Sequence, residues 1–223
     1  MPAGIQVFAQ DGSNKLQIDS NAYPNLHMRT KGSAATTTNY FLLSGANVSY
    51  VKVSLGSGFQ QRPLVALRCT SLCSLGTVQQ EADLSWSAYV YVRAEIGATF
   101  QWYAFDKVGA GELSNFGFQV FNASGVVIFD AARKPMKVVA AIATDGITGT
   151  TFSLTPGRVY APMHNPAGRA VPVGPSAGVL LTWGASTNDG AIAVATFQVA
   201  TISGAVTAAN GPVSGVVLDV TYF

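Results

Sequence analysis

Apolar and polar residues alternate along most of this chain with the two-residue period of a β-strand. The clearest run covers residues 84–92, where Leu84, Trp86, Ala88, Val90 and Val92 share one face and Ser85, Ser87, Tyr89 and Tyr91 the other. Residues 100–105 and 216–223 repeat that period. Further strands are expected at 48–55, 63–68, 136–142, 178–183 and 191–200. Gly, Pro, Asn and Ser punctuate these runs at short intervals, as in sandwiches and barrels. No stretch carries a sustained helical period with caps at both ends, so any helix should be short.

Beneath the alternation lies a repeat. Gly4, Gln6, Val7 and Phe8 recur as Gly117, Gln119, Val120 and Phe121, and each set is followed four residues later by a glycine, Gly12 or Gly125. Allowing a two-residue difference in loop length, Ile18-Asp19 matches Phe129-Asp130, and Pro24 matches Pro135. Repeated landmarks in one order point to duplication. The fold class expected is therefore all-β, with two tandem related β-sandwich-like domains over residues 1–112 and 113–223, each a suitable length for a small β domain. Each copy should open with a hairpin. In the second, the turn around Asn122–Gly125 uses an Asn that can bond its own backbone and a Gly that can take positive φ. The proline then interrupts the ladder before the next strand. Asp19 and Asp130 fall at strand ends, where a carboxylate accepts backbone N–H bonds.

Charge changes the picture. Only 11% of residues are charged, against roughly 25% in an ordinary soluble domain. After Lys137 the charged side chains are Asp145, Arg158, Arg169, Asp189 and Asp219. Neighbouring subunits could cover such a surface, because interface centres are depleted in charge; a Ser/Thr/Gly-rich exterior, polar without charge, is the other reading. Apolar runs fall far short of the roughly 18 residues a spanning helix needs. The first residues offer neither a basic nor an apolar signal region, so cytosolic synthesis is expected. A net charge of +2 without a Lys/Arg cluster gives no footprint for nucleic acid. Cys69 and Cys73 are expected as two buried thiols.

Catalytic chemistry finds few materials here. With two His and three Glu, no G-x-S-x-G elbow and no phosphate loop, neither a triad nor nucleotide binding is indicated. Cys69 and Cys73 lack the second ligand pair a zinc centre needs. Glu81, Asp83, Glu95 and Glu112 cannot be paired from sequence into the facing carboxylates of a glycosidase. No cofactor or metal is therefore expected, and no enzyme. Among the aromatics, Tyr89, Tyr91, Trp102, Tyr103, Tyr160 and Trp183 either fill the core or stack on a partner. Tyr160, Trp183 and His164, the last expected in an exposed turn, are the candidate contacts with a partner or glycan. The Pro/Gly-rich segment 161–175 is expected to be a loop open to a partner.

The phrase Gly117-Phe-Gln-Val-Phe-Asn-Ala-Ser-Gly-Val-Val-Ile-Phe-Asp130, followed by Pro135-Met-Lys-Val-Val139, resembles the opening of small β domains in minor tail, tail-tip and tail-fibre proteins of long-tailed bacteriophages. The amino-terminal copy carries a looser version, departing through a longer turn over residues 9–15 and at Gln17 and Ser20. The resemblance implies a non-enzymatic structural protein of the virion, made in the host cytoplasm and placed in the tail tip, baseplate or fibre region. It implies a symmetric homo-oligomer, a trimer favoured, in contact with other tail proteins and near the host-facing end. A receptor- or carbohydrate-binding module of the same tail is the alternative.

Overall fold

The computed structural model describes residues 4–8, 14–19, 26–40, 47–107, 117–121, 124–125, 127–144, 149–164, 168–174, 177–203 and 213–223. Every regular element among them is a strand, so the all-β class holds. Gly12, Pro24 and the turn residues Asn122 and Ala123 lie outside the described residues.

Two hairpins open the two halves. β1 (Gly4–Phe8) pairs β2 (Asn14–Asp19), and β10 (Gln119–Phe121) pairs β11 (Val127–Asp130). Their registers agree residue for residue: Gln6 faces Gln17 as Gln119 faces Asp130, and Phe8 faces Asn14 as Phe121 faces Val127. Both carry a β-bulge at the same step, Val7/Phe8 and Val120/Phe121. The two loops are thus equally long, and the two-residue difference expected inside the loop falls after it. Asp130 consequently occupies the place of Gln17, not of Asp19. Gly125 turns the second loop at φ 76°, a conformation only glycine takes without strain. Asp130, fully buried, accepts the Ala132 amide at 2.9 Å and the Gln119 side chain at 3.2 Å, which is the strand-end role its position predicts.

The remaining strands of the first half are β3 (Leu26–Ala35), β4 (Thr38–Tyr40), β5 (Val48–Gly56), β6 (Leu64–Arg68), β7 (Cys73–Gln80), β8 (Trp86–Val92) and β9 (Thr99–Lys107). Those of the second are β12 (Val138–Thr144), β13 (Thr150–Ser153), β14 (Tyr160–His164), β15 (Gly168–Gly174), β16 (Ala177–Asn188), β17 (Ala191–Ser203) and β18 (Val213–Asp219). One three-stranded sheet runs β3-β9-β6 and another β12-β18-β14, all antiparallel. Setting aside the short β4 and the extra β15, each half sends its first, last and third strands into such a sheet. The second, fifth and fourth form the other layer, β5-β8-β7 or β13-β17-β16. The likeness extends to irregularities, since β3 bulges between Met28 and Thr30 against β9, and β12 between Val138 and Ala140 against β18.

The alternation read from sequence builds these layers. Ala88, Val90 and Val92 of β8 are fully buried and pack with Val53 and Leu55 of β5, Val65 and Leu67 of β6, and Phe100 and Trp102 of β9. Ile142, Tyr160, Ile192, Val194 and Val217 fill the corresponding space in the second half. A third cluster lies between the halves: Ala66, Tyr103 and Phe105 against Ala161, Leu218 and Val220. Fully burying one such large apolar side chain stabilises by about 1.5–3 kcal/mol. At the sheet edges β7 meets β16 antiparallel through Cys73 and Ala185, merging the two larger layers into one sheet of eight strands, with β15 attached to β16.

Three sequence expectations change. Leu84 is not on the β8 face: it has φ 66°, is 68% exposed, and closes the turn in which its amide bonds the Glu81 carbonyl. His164 is not in an exposed turn but in β14, 7% exposed. The segment 161–175 is largely strand, in β14 and β15. Pro162 and Pro172 conceal this from sequence. Each strand pairs on one side only, where a residue without an N–H leaves no ladder bond unmade.

Candidate functional site

At the end of β18 the buried carboxylate of Asp219 gathers donors from three segments. Its Oδ1 accepts the Thr221 amide at 3.1 Å and the Thr221 hydroxyl at 2.6 Å, an Asx-type turn that ends the strand. Its Oδ2 accepts Lys137 Nζ at 3.0 Å and Arg158 Nη1 at 2.7 Å. Burial alone would raise this carboxyl; the hydrogen bonds from Thr221, Lys137 and Arg158 outweigh it and hold the group well below the usual carboxylate range. Arg158 is raised in return by its bond to Asp219.

The loop ahead of β14 fixes Arg158. Gly157 turns at φ 77° and donates its amide to Asp189 Oδ1 at 2.8 Å. On the other side, Val159 donates to the Thr221 hydroxyl at 2.9 Å and accepts the Val220 amide at 2.8 Å. Lys137 immediately precedes β12, and its carbonyl accepts the Asp219 amide at 3.0 Å. A cleft of about 620 Å³ opens here, lined by Lys137, Ser153, Thr155, Arg158, Tyr160 and Asp219 among others. The two cationic side chains remain 57% and 42% exposed while the carboxylate is 2% exposed.

The first half has a counterpart. Counting from the shared bulge, Lys137 stands where His27 does, and His27 pairs with Asp106 near the end of β9. Asp106 is also buried, and its oxygens accept main-chain amides, from Lys107 at 2.8 Å and from Gln60. No ion pair reaches it among the described residues.

A second shallow cleft, about 470 Å³, lies between Lys52, Ser54, Glu81, Asp83 and Ser87. Glu81 is lowered to about 2 by hydrogen bonds from Lys52, Ser87 and Gln79, and Lys52 binds it at 2.8 Å. The cation of this cleft is thus spent on Glu81, while Asp83 accepts the Ser85 amide and hydroxyl. Next to it runs the outward side of β5 and β8, where Tyr50 and Tyr91 lie 5.7 Å apart and Lys52 rests 5.9 Å from the Tyr89 ring. These tyrosines are half-buried.

Cys69 and Cys73 are both free and buried, as expected. They bracket the turn at the join between halves: the Cys69 carbonyl accepts the Thr187 amide at 2.7 Å, and Cys73 Sγ donates to the Ala185 carbonyl at 3.3 Å. The interaction of the two neighbouring thiols lowers Cys69 to about 7 and, with burial, pushes Cys73 up.

Of the contacts proposed from sequence, Tyr160 lines the cleft beside Asp219 with its hydroxyl on the Thr155 carbonyl at 3.0 Å, although only 5% of it is exposed. His164 is buried four residues along the same strand. Trp183 belongs to β16, and its side chain is outside the described residues. Trp102 and Tyr103 fill the cores. Sequence reading missed Lys137, Arg158 and Asp219 as a group. The available signal was that Arg158 and Asp219, two of the five charges after Lys137, should need a reason to be there. Among the described residues, no helix is long and apolar enough to cross a membrane.

The fold therefore defines an all-β protein whose two halves repeat one strand order. Compared with family models, curated proteins and solved structures, the chain matches none.

Proposed function

We propose that the chain is a non-enzymatic structural component of a bacteriophage tail, in the tip, baseplate or fibre region. In this reading it arose by duplication of one β unit and assembles as a symmetric homo-oligomer, a trimer, with other tail proteins as neighbours. The observation that supports it best is the recurrence of one strand plan, down to its bulges, in two halves that share a core and a sheet. Two like units per chain let three chains offer six quasi-equivalent positions, as a join between six-fold and three-fold parts requires. Exposed Phe118, Phe121, Val138 and Val139 are large apolar side chains of the kind a neighbour covers. Native mass spectrometry and electron microscopy of the purified protein test this. A ring or trimer is expected, and a stable, soluble monomer at all concentrations would overturn it.

A receptor- or carbohydrate-binding role is the second reading, supported by the tyrosine-bearing face of β5 and β8, since sugar rings stack on aromatic faces. A glycan array separates the two. Binding lost in Tyr89→Ala or Tyr91→Ala, with assembly intact, favours recognition; no binding to any glycan removes this reading.

A further inference from the structure

The geometry points to an oxyanion-binding site in the cleft of Lys137 and Arg158, for a ligand that carries a carboxylate or a phosphate. Three observations converge. First, the equivalent carboxylate in the other half, Asp106, is satisfied among the described residues by main-chain amides, so burying an Asp at this place in the fold does not require a cation. Asp219 takes two. Second, two cations against one carboxylate leave a positive charge over. Asp189, across the loop, is engaged by the Gly157 amide and does not line the cleft.

Third, the donors are held but not used up. Lys137 and Arg158 each give Asp219 one hydrogen bond, while an ammonium has three N–H donors and a guanidinium five. Both remain substantially exposed on the wall of a cleft that also presents the hydroxyl-bearing Ser153 and Thr155. Asp219 fixes where the two cations stand, so little side-chain freedom is lost when a ligand oxygen takes the remaining donors. Charge-assisted bonds of this kind are stronger than neutral ones. After Lys137 the chain has five charged residues, and two of them meet Lys137 here. This site depends on the strand equivalence and not on the assembly reading.

The test uses the full chain and three probes: inorganic phosphate, glucuronate and, as the uncharged control, glucose. Binding is followed by amide chemical shifts around Gly157 and Arg158. Phosphate or glucuronate should bind at millimolar concentration, with glucose inert and with affinity falling as salt is added. Binding of phosphate alone assigns a phosphate ester as the natural group, binding of glucuronate alone a carboxylated sugar, and binding of both the shared oxyanion chemistry. Lys137→Gln keeps the Arg158–Asp219 pair and should weaken binding about five-fold or more, whereas Lys52→Gln, at the other cleft, should leave it unchanged. Arg158→Gln should weaken it as well, and the Lys137 variant decides if that protein does not fold. No saturable shift up to about 50 mM of either anion, equal shifts with glucose, or full binding by Lys137→Gln would overturn the proposal.

Discussion

His27 is buried at 4% exposure beside the Phe129 ring, their centroids 6.0 Å apart, and neither ring nitrogen has a hydrogen-bond partner among the described residues. Burial lowers its pKa from the ordinary 6.5, outweighing the opposing pull of the Arg133 backbone and of the Asp130 charge. The folded chain thus holds the ring neutral while the unfolded chain takes up a proton. Stability contributed by the neutral ring is complete above about pH 6.5 and is lost as pH falls through the lowered folded value. His27→Phe should flatten the melting temperature between pH 7 and about pH 5; an unchanged pH profile would show that the histidine is not responsible. Asp219 has the same sign with a lower window. Its depressed carboxyl stabilises above the ordinary 3.8, and that contribution is lost as pH falls toward the folded value. Asp219→Asn leaves Lys137 and Arg158 without their shared partner and should cost about 2–3 kcal/mol at neutral pH. In denaturant melts that gap should narrow below about pH 4.

Among the elements, β18 lies directly against the backbone of β14 at Gly215. A Cβ there would meet the Met163 carbonyl oxygen and come within 2.7 Å of the His164 Cα. Backbone atoms cannot swing aside as a side chain can, so Gly215→Ala should cost about 2–3 kcal/mol, measured by chemical denaturation. A cost under about 0.5 kcal/mol would mean that the strands part easily. The period of two revealed β5 and β8 because each buries one face and leaves the other in partial contact with water, whereas β9, buried on both faces from Trp102 to Asp106, was legible as a short run of large apolar residues. The period failed at β14 and β15, where proline on a strand with one unpaired side reads as a loop. It failed again at the cleft: Lys137, Arg158 and Asp219 are brought together by register, by a bulge and by a loop, none of which leaves a periodic mark. The hairpin repeat was visible in residues, but the equal length of its two loops became evident only from the pairing.

For the whole molecule, the decisive contact is the apolar layer shared by both halves. Phe105 is fully buried there, against Phe223 at 5.9 Å in an edge-on arrangement and among residues from the other half. Phe105→Ala should cost about 3–5 kcal/mol. Because the layer belongs to both halves, calorimetry should show one lowered transition; two resolved transitions in the unaltered chain would mean that the halves unfold separately. The same layer has a consequence for synthesis. While the ribosome is still making the second half, the outward sides of β6 and β9 have nothing to rest against, and Tyr103 and Phe105 face water until β14 and β18 arrive. For that interval the nascent chain presents an oily plate to everything around it, which favours holding by a chaperone, or the plate of a neighbouring unfinished chain, over waiting alone.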